Sequence, residues 1–147
     1  MKRLDLSKVD QIIVHHTASP RSTTLAQVRR WHKARGFDDV GYHWFIDGKG
    51  RVQQGRSLRY RGAHCAGQNW RSVGIAVAGD FELVEPTEDQ LTSLWALIEA
   101  TRKQLPRDDV QVTGHRDHSD SVCPGDHLYD LLRERFGIPP VDGEDHG

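Results

Sequence analysis

Residues 11–16, with the sequence Gln-Ile-Ile-Val-His-His, form the first strongly apolar run of the chain. A short apolar run without helical periodicity indicates a buried strand. A second run of this kind, Val-Gly-Ile-Ala-Val-Ala at 73–78, predicts another strand near the centre of the same sheet. Residues 110–113 predict a third strand, and residues 42–55 predict a hairpin around the turn at 47–50.

Helical patterns lie between these strands. Residues 24–27 have the Thr-x-x-Gln pattern of a capping box, and the helix after it is expected to end at Gly36. The same pattern at 87–90 begins the longest helix, which extends to about Leu105, and a last helix is predicted over 126–136. Alternating strands and helices predict the α/β class, with one central mixed β-sheet flanked by α-helices.

Length and charge limit the possible functions. The chain has 147 residues, which suits a single domain, and its 20 basic and 21 acidic residues give a net charge near −1. A strongly basic nucleic-acid-binding protein is therefore not expected. No apolar run approaches the ~18 residues that a membrane span needs, and residues 1–10 do not resemble a secretory signal. We expect one domain over residues 1–138 and a flexible acidic tail over 139–147.

Three potential metal ligands lie at predicted strand ends and in the loops beyond them. His15 ends the first strand, His115 follows the strand at 110–113, and Cys123 comes eight positions later. Imidazole nitrogen and thiolate sulfur suit Zn²⁺, and three protein ligands with a vacant fourth position are typical of catalytic zinc. On spacing alone, satisfied core histidines, surface histidines and an inert buried thiol remain open alternatives.

Six short motifs occur in order between residues 10 and 136: Val14-His15-His16-Thr17-Ala18, Val40-Gly41-Tyr42-His43, His64 with Gly67 and Asn69, Ser72-Val73-Gly74-Ile75, Gly114-His115-Arg116-Asp117, and Cys123-Pro124-Gly125-Asp126. Together they resemble the type 2 N-acetylmuramoyl-L-alanine amidases, a family that includes peptidoglycan recognition proteins and the amidase lysozymes (endolysins) of bacteriophages. The resemblance implies a recognition-protein-like amidase fold. It also implies hydrolysis of the amide bond between N-acetylmuramic acid and L-alanine in peptidoglycan.

The resemblance also implies a role for individual residues. One Zn²⁺ per chain would be bound by His15, His115 and Cys123. The active-site tyrosine of the family falls on Tyr42, which would donate a hydrogen bond to the oxyanion or relay a proton; a buried aromatic anchor is the alternative. The identity of the proton acceptor stays open among the zinc-bound hydroxide itself, Tyr42 and a histidine of the pocket.

Substrate contacts are expected at three further positions. His64 falls on a groove-lining histidine of the family, and we assign it to substrate binding together with Asn69; a general loop role is the alternative. Ser121 lies two residues before the cysteine, where phage members often have Lys and recognition proteins commonly have Thr. Ser121 would hold the substrate carbonyl or the oxyanion with one hydrogen bond but adds no positive charge. An ordinary loop serine is the alternative.

Two other features bear on the site. A disulfide between Cys65 and Cys123 would destroy the metal site, but a chain without a secretory signal is not expected to form one. We expect Cys65 to be a small buried residue. Residues 49–71 contain six basic residues and no acidic residue. They would border a groove for the carboxylates of muropeptide stems or for anionic wall polymers, or they are simply solvated surface.

We expect a phage-type lytic enzyme that is a monomer and has peptidoglycan or muropeptides as its substrate. It would be made in the cytoplasm without a signal peptide and would act on the wall after membrane breach, with no nucleic-acid partner and no membrane insertion. Three alternatives stay open. They are a cytoplasmic recycling amidase, a cysteine peptidase that uses Cys123 and His115 with Asp117, and a peptidoglycan-binding module without catalysis.

Overall fold

The computed structural model of the chain describes residues 1–139. Its strands are β1 (Gln11–His16), β2 (Trp44–Ile46), β3 (Val52–Gln54), β4 (Ser72–Val77) and β5 (Gln111–Gly114). Its α-helices are α1 (Leu25–Ala34), α2 (Glu88–Gln104) and α3 (Asp126–Phe136), and single 3₁₀ turns cover Leu6–Lys8, Asn69–Arg71 and His115–Asp117. Each predicted strand and helix is present. Of the predicted tail, residues 140–147 lie outside the described residues.

The five strands form one mixed sheet in the order β3-β2-β4-β1-β5, so the strand predicted to be central is central. β1 is parallel to both β4 and β5, β2 is parallel to β4, and β3 closes the hairpin with β2 in antiparallel pairing. Because β1 and β5 are parallel neighbours, the residues that follow their carboxyl ends meet at one edge of the sheet. No helix of the described residues is long and apolar enough to cross a bilayer.

One face of the sheet is apolar and covered by two helices. Successive side chains of a strand point to opposite faces, so alternate residues of β1 and β4 share this face. They pack against α2 and α3 in a cluster that contains Ile12, Val14, Val73, Ile75, Val77, Leu94, Ile98, Leu128 and Leu132. This cluster is the main core of the domain.

The opposite face carries small residues of β4, namely Ser72, Gly74 and Ala76. Helix α1 covers part of this face through Val28, which belongs to a second cluster with Phe45 and Ala76. The small side chains leave room above the rest of the sheet for side chains from the loops. His15 of β1 lies on this face.

A capping box joins the start of α2 to the sheet. Thr87 Oγ1 accepts a hydrogen bond from the backbone N–H of Gln90 at 3.1 Å, and Gln90 Oε1 accepts one from the N–H of Thr87 at 3.1 Å. The amide nitrogen of Gln90 also donates to the carbonyl oxygens of Ala78 and Asp47. The box predicted from the sequence therefore orients the longest helix against the end of β4.

Thr87→Ala should lower the free energy of unfolding by about 1 kcal/mol, because the N–H of Gln90 loses its acceptor at the helix start. Urea unfolding followed by circular dichroism measures the change. Thr92→Ala is the matched control, since Thr92 is exposed within the same helix. Equal stability losses in the two variants would contradict the capping role.

Candidate active site

The three predicted metal ligands converge although they lie far apart in the sequence. One ligand atom from each of His15, His115 and Cys123 lies within 4.8 Å of the others. His15 Nδ1 is 3.7 Å from Cys123 Sγ. Zn–S and Zn–N bonds of about 2.3 and 2.05 Å at a tetrahedral angle place two such ligands about 3.6 Å apart. The donor set and its spacing therefore fit a zinc ion with three protein ligands.

The protonation states of the imidazoles suit metal binding. Burial lowers the pKa of His15 well below its ordinary value, and burial also lowers the pKa of His115. Both imidazoles are therefore neutral at neutral pH and have a lone pair to offer. Burial raises the pKa of the Cys123 thiol to about 12, although the backbone N–H of His16 donates to its sulfur at 3.4 Å. A cation at this position would displace the thiol proton.

The loop that carries Cys123 is held by Arg116. The backbone N–H of Arg116 donates to the carbonyl oxygen of Cys123 at 2.8 Å. Its guanidinium donates to the carbonyl oxygen of Val122 and forms an ion pair with Asp126 at 2.8 Å. Sequence reasoning used Arg116 only as part of a motif and missed this role. The contacts join both ends of the loop between β5 and α3, which places the cysteine beside the strand ends.

Tyr42 lies beside the three converging ligands. Its ring centroid is 5.1 Å from that of His15 and 5.3 Å from that of His32. Burial, and then the charge of Cys123, raise the pKa of Tyr42 well above its ordinary value, so the phenol is protonated at neutral pH. A protonated phenol at this place is a hydrogen-bond donor rather than a base.

Comparison with known proteins agrees with this geometry. The model of the N-acetylmuramoyl-L-alanine amidase family matches residues 5–126. The chain belongs to this amidase family.

Individual relatives support the assignment. The human N-acetylmuramoyl-L-alanine amidase is 34% identical over 134 residues, which are 83% of this chain but only 23% of the human protein. The endolysin of Klebsiella phage KP32 is 34% identical over 133 residues, which cover 86% of this chain and 85% of the endolysin. The X-ray structure of bumblebee PGRP-SA, a peptidoglycan recognition protein, aligns with a TM-score of 0.88 at 28% identity and covers 96% of this chain and 89% of that chain. The predicted fold of this family is confirmed.

Two of the residues assigned to catalysis and substrate binding make contacts within the protein. Ser121 Oγ accepts a hydrogen bond from the backbone N–H of Cys123 at 3.1 Å. Asn69 Oδ1 accepts bonds from the backbone N–H groups of His64 and Cys65, both at 3.1 Å. Both side chains therefore shape the loops of the amidase site, and their contacts with substrate stay predictions.

His64 is buried next to a predicted ligand. Its Nδ1 is 2.8 Å from His15 Nε2, and its Nε2 is 3.2 Å from the hydroxyl of Ser72. Burial lowers the pKa of His64 well below its ordinary value. The sequence indicated His64 through its family motif but gave no signal for a contact with His15. Ser72 was quoted within a motif and received no role. Binding of substrate by His64 stays a prediction.

Both cysteines of the amidase domain are free thiols. Cys65 is almost fully buried, as expected, and burial raises the pKa of its thiol to about 11. The disulfide alternative, which would have removed Cys123 from the site, is not found. Cys123 keeps its sulfur directed toward His15.

The basic run at 49–71 does not form one continuous charged surface. Arg56 is buried and donates to the carbonyl oxygens of Val40, Asp39 and Arg61. Arg51 is paired with Asp47, and Arg71 is paired with Asp10. Much of this charge therefore stabilises the amidase fold itself, and a role in binding substrate carboxylates stays a prediction.

Metal analysis of the purified protein should find about one zinc per chain in the wild type and almost none in Cys123→Ala, because a zinc site with two protein ligands is weak. Inductively coupled plasma mass spectrometry measures the ratio. Cys65→Ala is the matched control, since it removes the other buried thiol. Loss of zinc in Cys65→Ala alone, or its retention in Cys123→Ala, would contradict the ligand set.

Proposed function

We propose that the protein is a zinc-dependent N-acetylmuramoyl-L-alanine amidase that cleaves the bond between N-acetylmuramic acid and L-alanine in peptidoglycan. One observation carries the proposal: His15, His115 and Cys123 converge beside Tyr42, in a chain that belongs to this family. The endolysin and human amidase relatives support the same reaction.

The site supplies what amide hydrolysis requires. An amide is a poor electrophile, and water is a poor nucleophile at neutral pH. A zinc ion bound by the three ligands would lower the pKa of water to about 7 and polarise the scissile carbonyl. With Cys123 bound as a thiolate, the net positive charge of the zinc site would be about one. Hydrogen-bond donors from the chain therefore matter for stabilising the oxyanion.

Tyr42 is the donor in the best position for this role. Its protonated phenol would donate to the carbonyl oxygen as negative charge develops on it, and the neighbouring rings of His15 and His32 limit the movement of its own ring. Ser121 would add a second hydrogen bond from the Cys123 loop. Its hydroxyl accepts from the N–H of Cys123 and keeps its own proton to donate.

Tyr42→Phe should retain about one zinc per chain and lower kcat about 10²- to 10³-fold, because one oxyanion donor is removed without loss of a metal ligand. Release of stem peptide from purified muropeptides measures the rate. Tyr60→Phe is the control, since it removes a phenol outside the site. Unchanged turnover of Tyr42→Phe would remove Tyr42 from the mechanism.

The cysteine peptidase alternative is disfavoured by two observations. Burial raises the pKa of Cys123, whereas a nucleophilic cysteine needs a lowered pKa. The carboxylate of Asp117 accepts from the N–H of Gly114 at 2.8 Å and from the hydroxyl of Tyr129 at 2.5 Å, so both of its oxygens are engaged by groups other than the imidazole of His115.

Removal of metal should distinguish the zinc amidase from the cysteine peptidase. Dialysis against 1,10-phenanthroline should abolish hydrolysis, and one equivalent of Zn²⁺ should restore it, because the proposed nucleophile is activated water. The matched control is dialysis against a non-chelating phenanthroline isomer. Full activity of the zinc-depleted protein would favour the thiol enzyme.

We further propose that the protein is a phage-type lytic enzyme, made in the cytoplasm and active on the wall after membrane breach. The Klebsiella phage endolysin supports this, since the similarity covers 85% of its length. A recycling amidase would act on soluble fragments instead. A binding module without catalysis is disfavoured because Cys123 completes the ligand set.

Turnover on intact sacculi should therefore be at least as efficient as turnover on soluble muropeptides of the same stem. Release of soluble peptide from dye-labelled sacculi and chromatography of muropeptide digests provide the two rates. Cys123→Ala, assayed in parallel, gives the background. Cleavage confined to soluble muropeptides would favour the recycling amidase.

A further inference from the structure

A chain of hydrogen bonds leads from a backbone carbonyl to His15. The hydroxyl of Ser72 donates to the carbonyl oxygen of Gln68 at 2.7 Å. Ser72 Oγ lies 3.2 Å from His64 Nε2, and His64 Nδ1 lies 2.8 Å from His15 Nε2. The other nitrogen of His15, Nδ1, is the one that faces Cys123 Sγ.

The first bond of this chain decides the direction of the others. A carbonyl oxygen only accepts, so the single hydroxyl hydrogen of Ser72 is used on Gln68. Ser72 must then accept from His64, which places the proton of the neutral His64 ring on Nε2. The bare Nδ1 of His64 accepts from Nε2–H of His15. The lone pair of His15 is thereby left on Nδ1, the nitrogen that faces the other ligands.

The ring of His64 is fixed mechanically as well. A Cβ atom at Gly74 would lie 2.6 Å from His64 Cγ, and one at Gly62 would lie 2.5 Å from His64 Cδ2. Both glycines therefore contact the ring so closely that no side chain fits between them. Asn69 Oδ1 accepts a hydrogen bond from the backbone N–H of His64 at 3.1 Å. Gly74 of β4 and Gly62 of the preceding loop thus enclose the ring of this histidine.

We propose that His64 and Ser72 are positioning residues that fix the tautomer and the ring orientation of the metal ligand His15. The proposal rests on the zinc site of the proposed function, but not on the reaction catalysed there. Removal of a partner that orients a metal-bound histidine typically lowers metal affinity 10- to 100-fold. His64 then acts on the metal through His15.

Nitrogen NMR of the zinc-loaded protein tests the tautomers directly. Long-range ¹H–¹⁵N correlation spectra should show both His15 and His64 with the proton on Nε2, and His64 Nδ1 as a hydrogen-bond acceptor. A proton on Nδ1 of His64 would overturn the proposal, because His64 would then donate to His15 instead of accepting from it.

Zinc affinity, measured by competition with a chromophoric chelator, tests the energetic consequence. Ser72→Ala and His64→Leu should each weaken zinc binding by about 10- to 100-fold. His64→Asn should retain most of the affinity, because Asn Oδ1 occupies the position of His Nδ1 and can accept from His15. Ser93→Ala is the matched control. It also loses a hydroxyl bond to a backbone carbonyl, that of Gly50, and it should bind zinc as the wild type does.

Two outcomes would overturn the proposal, and one control accompanies them. Wild-type affinity in Ser72→Ala and His64→Leu would overturn the proposal. Equal losses in His64→Asn and His64→Leu would also overturn it, because they would show a packing role only. Thermal unfolding of each loaded variant identifies any that do not fold, and Ser72→Ala is the milder change.

These readouts require no turnover of substrate, so the two proposals fail separately. A wild type that binds zinc as described but does not cleave muropeptides would contradict the proposed function alone. An active wild type whose variants keep full zinc affinity would contradict the positioning role alone.

Discussion

Parallel pairing of β1 with β4 and β5 is the constraint on which the site depends. The register places His15 opposite Ala76 and Val14 opposite Gly114, so the end of β1 and the start of the loop after β5 lie side by side. His115 directly follows Gly114 and therefore lies next to His15.

The Cys123 loop is held at the same place by the backbone and guanidinium of Arg116. Three predicted ligands separated by as many as 108 positions thus share one edge because backbone hydrogen bonds align the strands.

One face of the sheet carries the main core, and the opposite face carries the candidate active site. Large residues at alternate positions of β1 and β4 form the main core with α2 and α3. The small residues on the other face leave room for His64, and other buried histidines accept hydrogen bonds from backbone N–H groups. His43 Nδ1 accepts from the N–H of Gly74, and burial lowers the pKa of His43 to about 4. His32 Nδ1 accepts from the N–H of Gly41, and its pKa is also lowered by burial. A buried polar ring without such partners would destabilise the fold.

Much of the fold was predictable because its signals are local. Apolar runs marked β1 and β4, and the Thr-x-x-Gln boxes at 24–27 and 87–90 marked two helix starts within a residue. The ligand set came from the family resemblance, since spacing alone left other roles open for His15, His115 and Cys123. The contact between His64 and His15 and the role of Arg116 were not predictable. Neither pairing has a periodic or compositional signal, because the partners meet only when separate loops close over the sheet.

The sequence by itself determined the elements and the kinds of donor atom available, because apolar periodicity, capping residues and side-chain chemistry are properties of short segments. Only the tertiary structure decided which donors meet and which nitrogen of an imidazole faces them. His15 shows the difference. Its residue type made it a candidate ligand, but the direction of its lone pair depends on Ser72, His64 and a carbonyl oxygen at Gln68. The direction of each hydrogen bond in this series depends on all of the groups in it, and the packing of loop against strand brings these groups together.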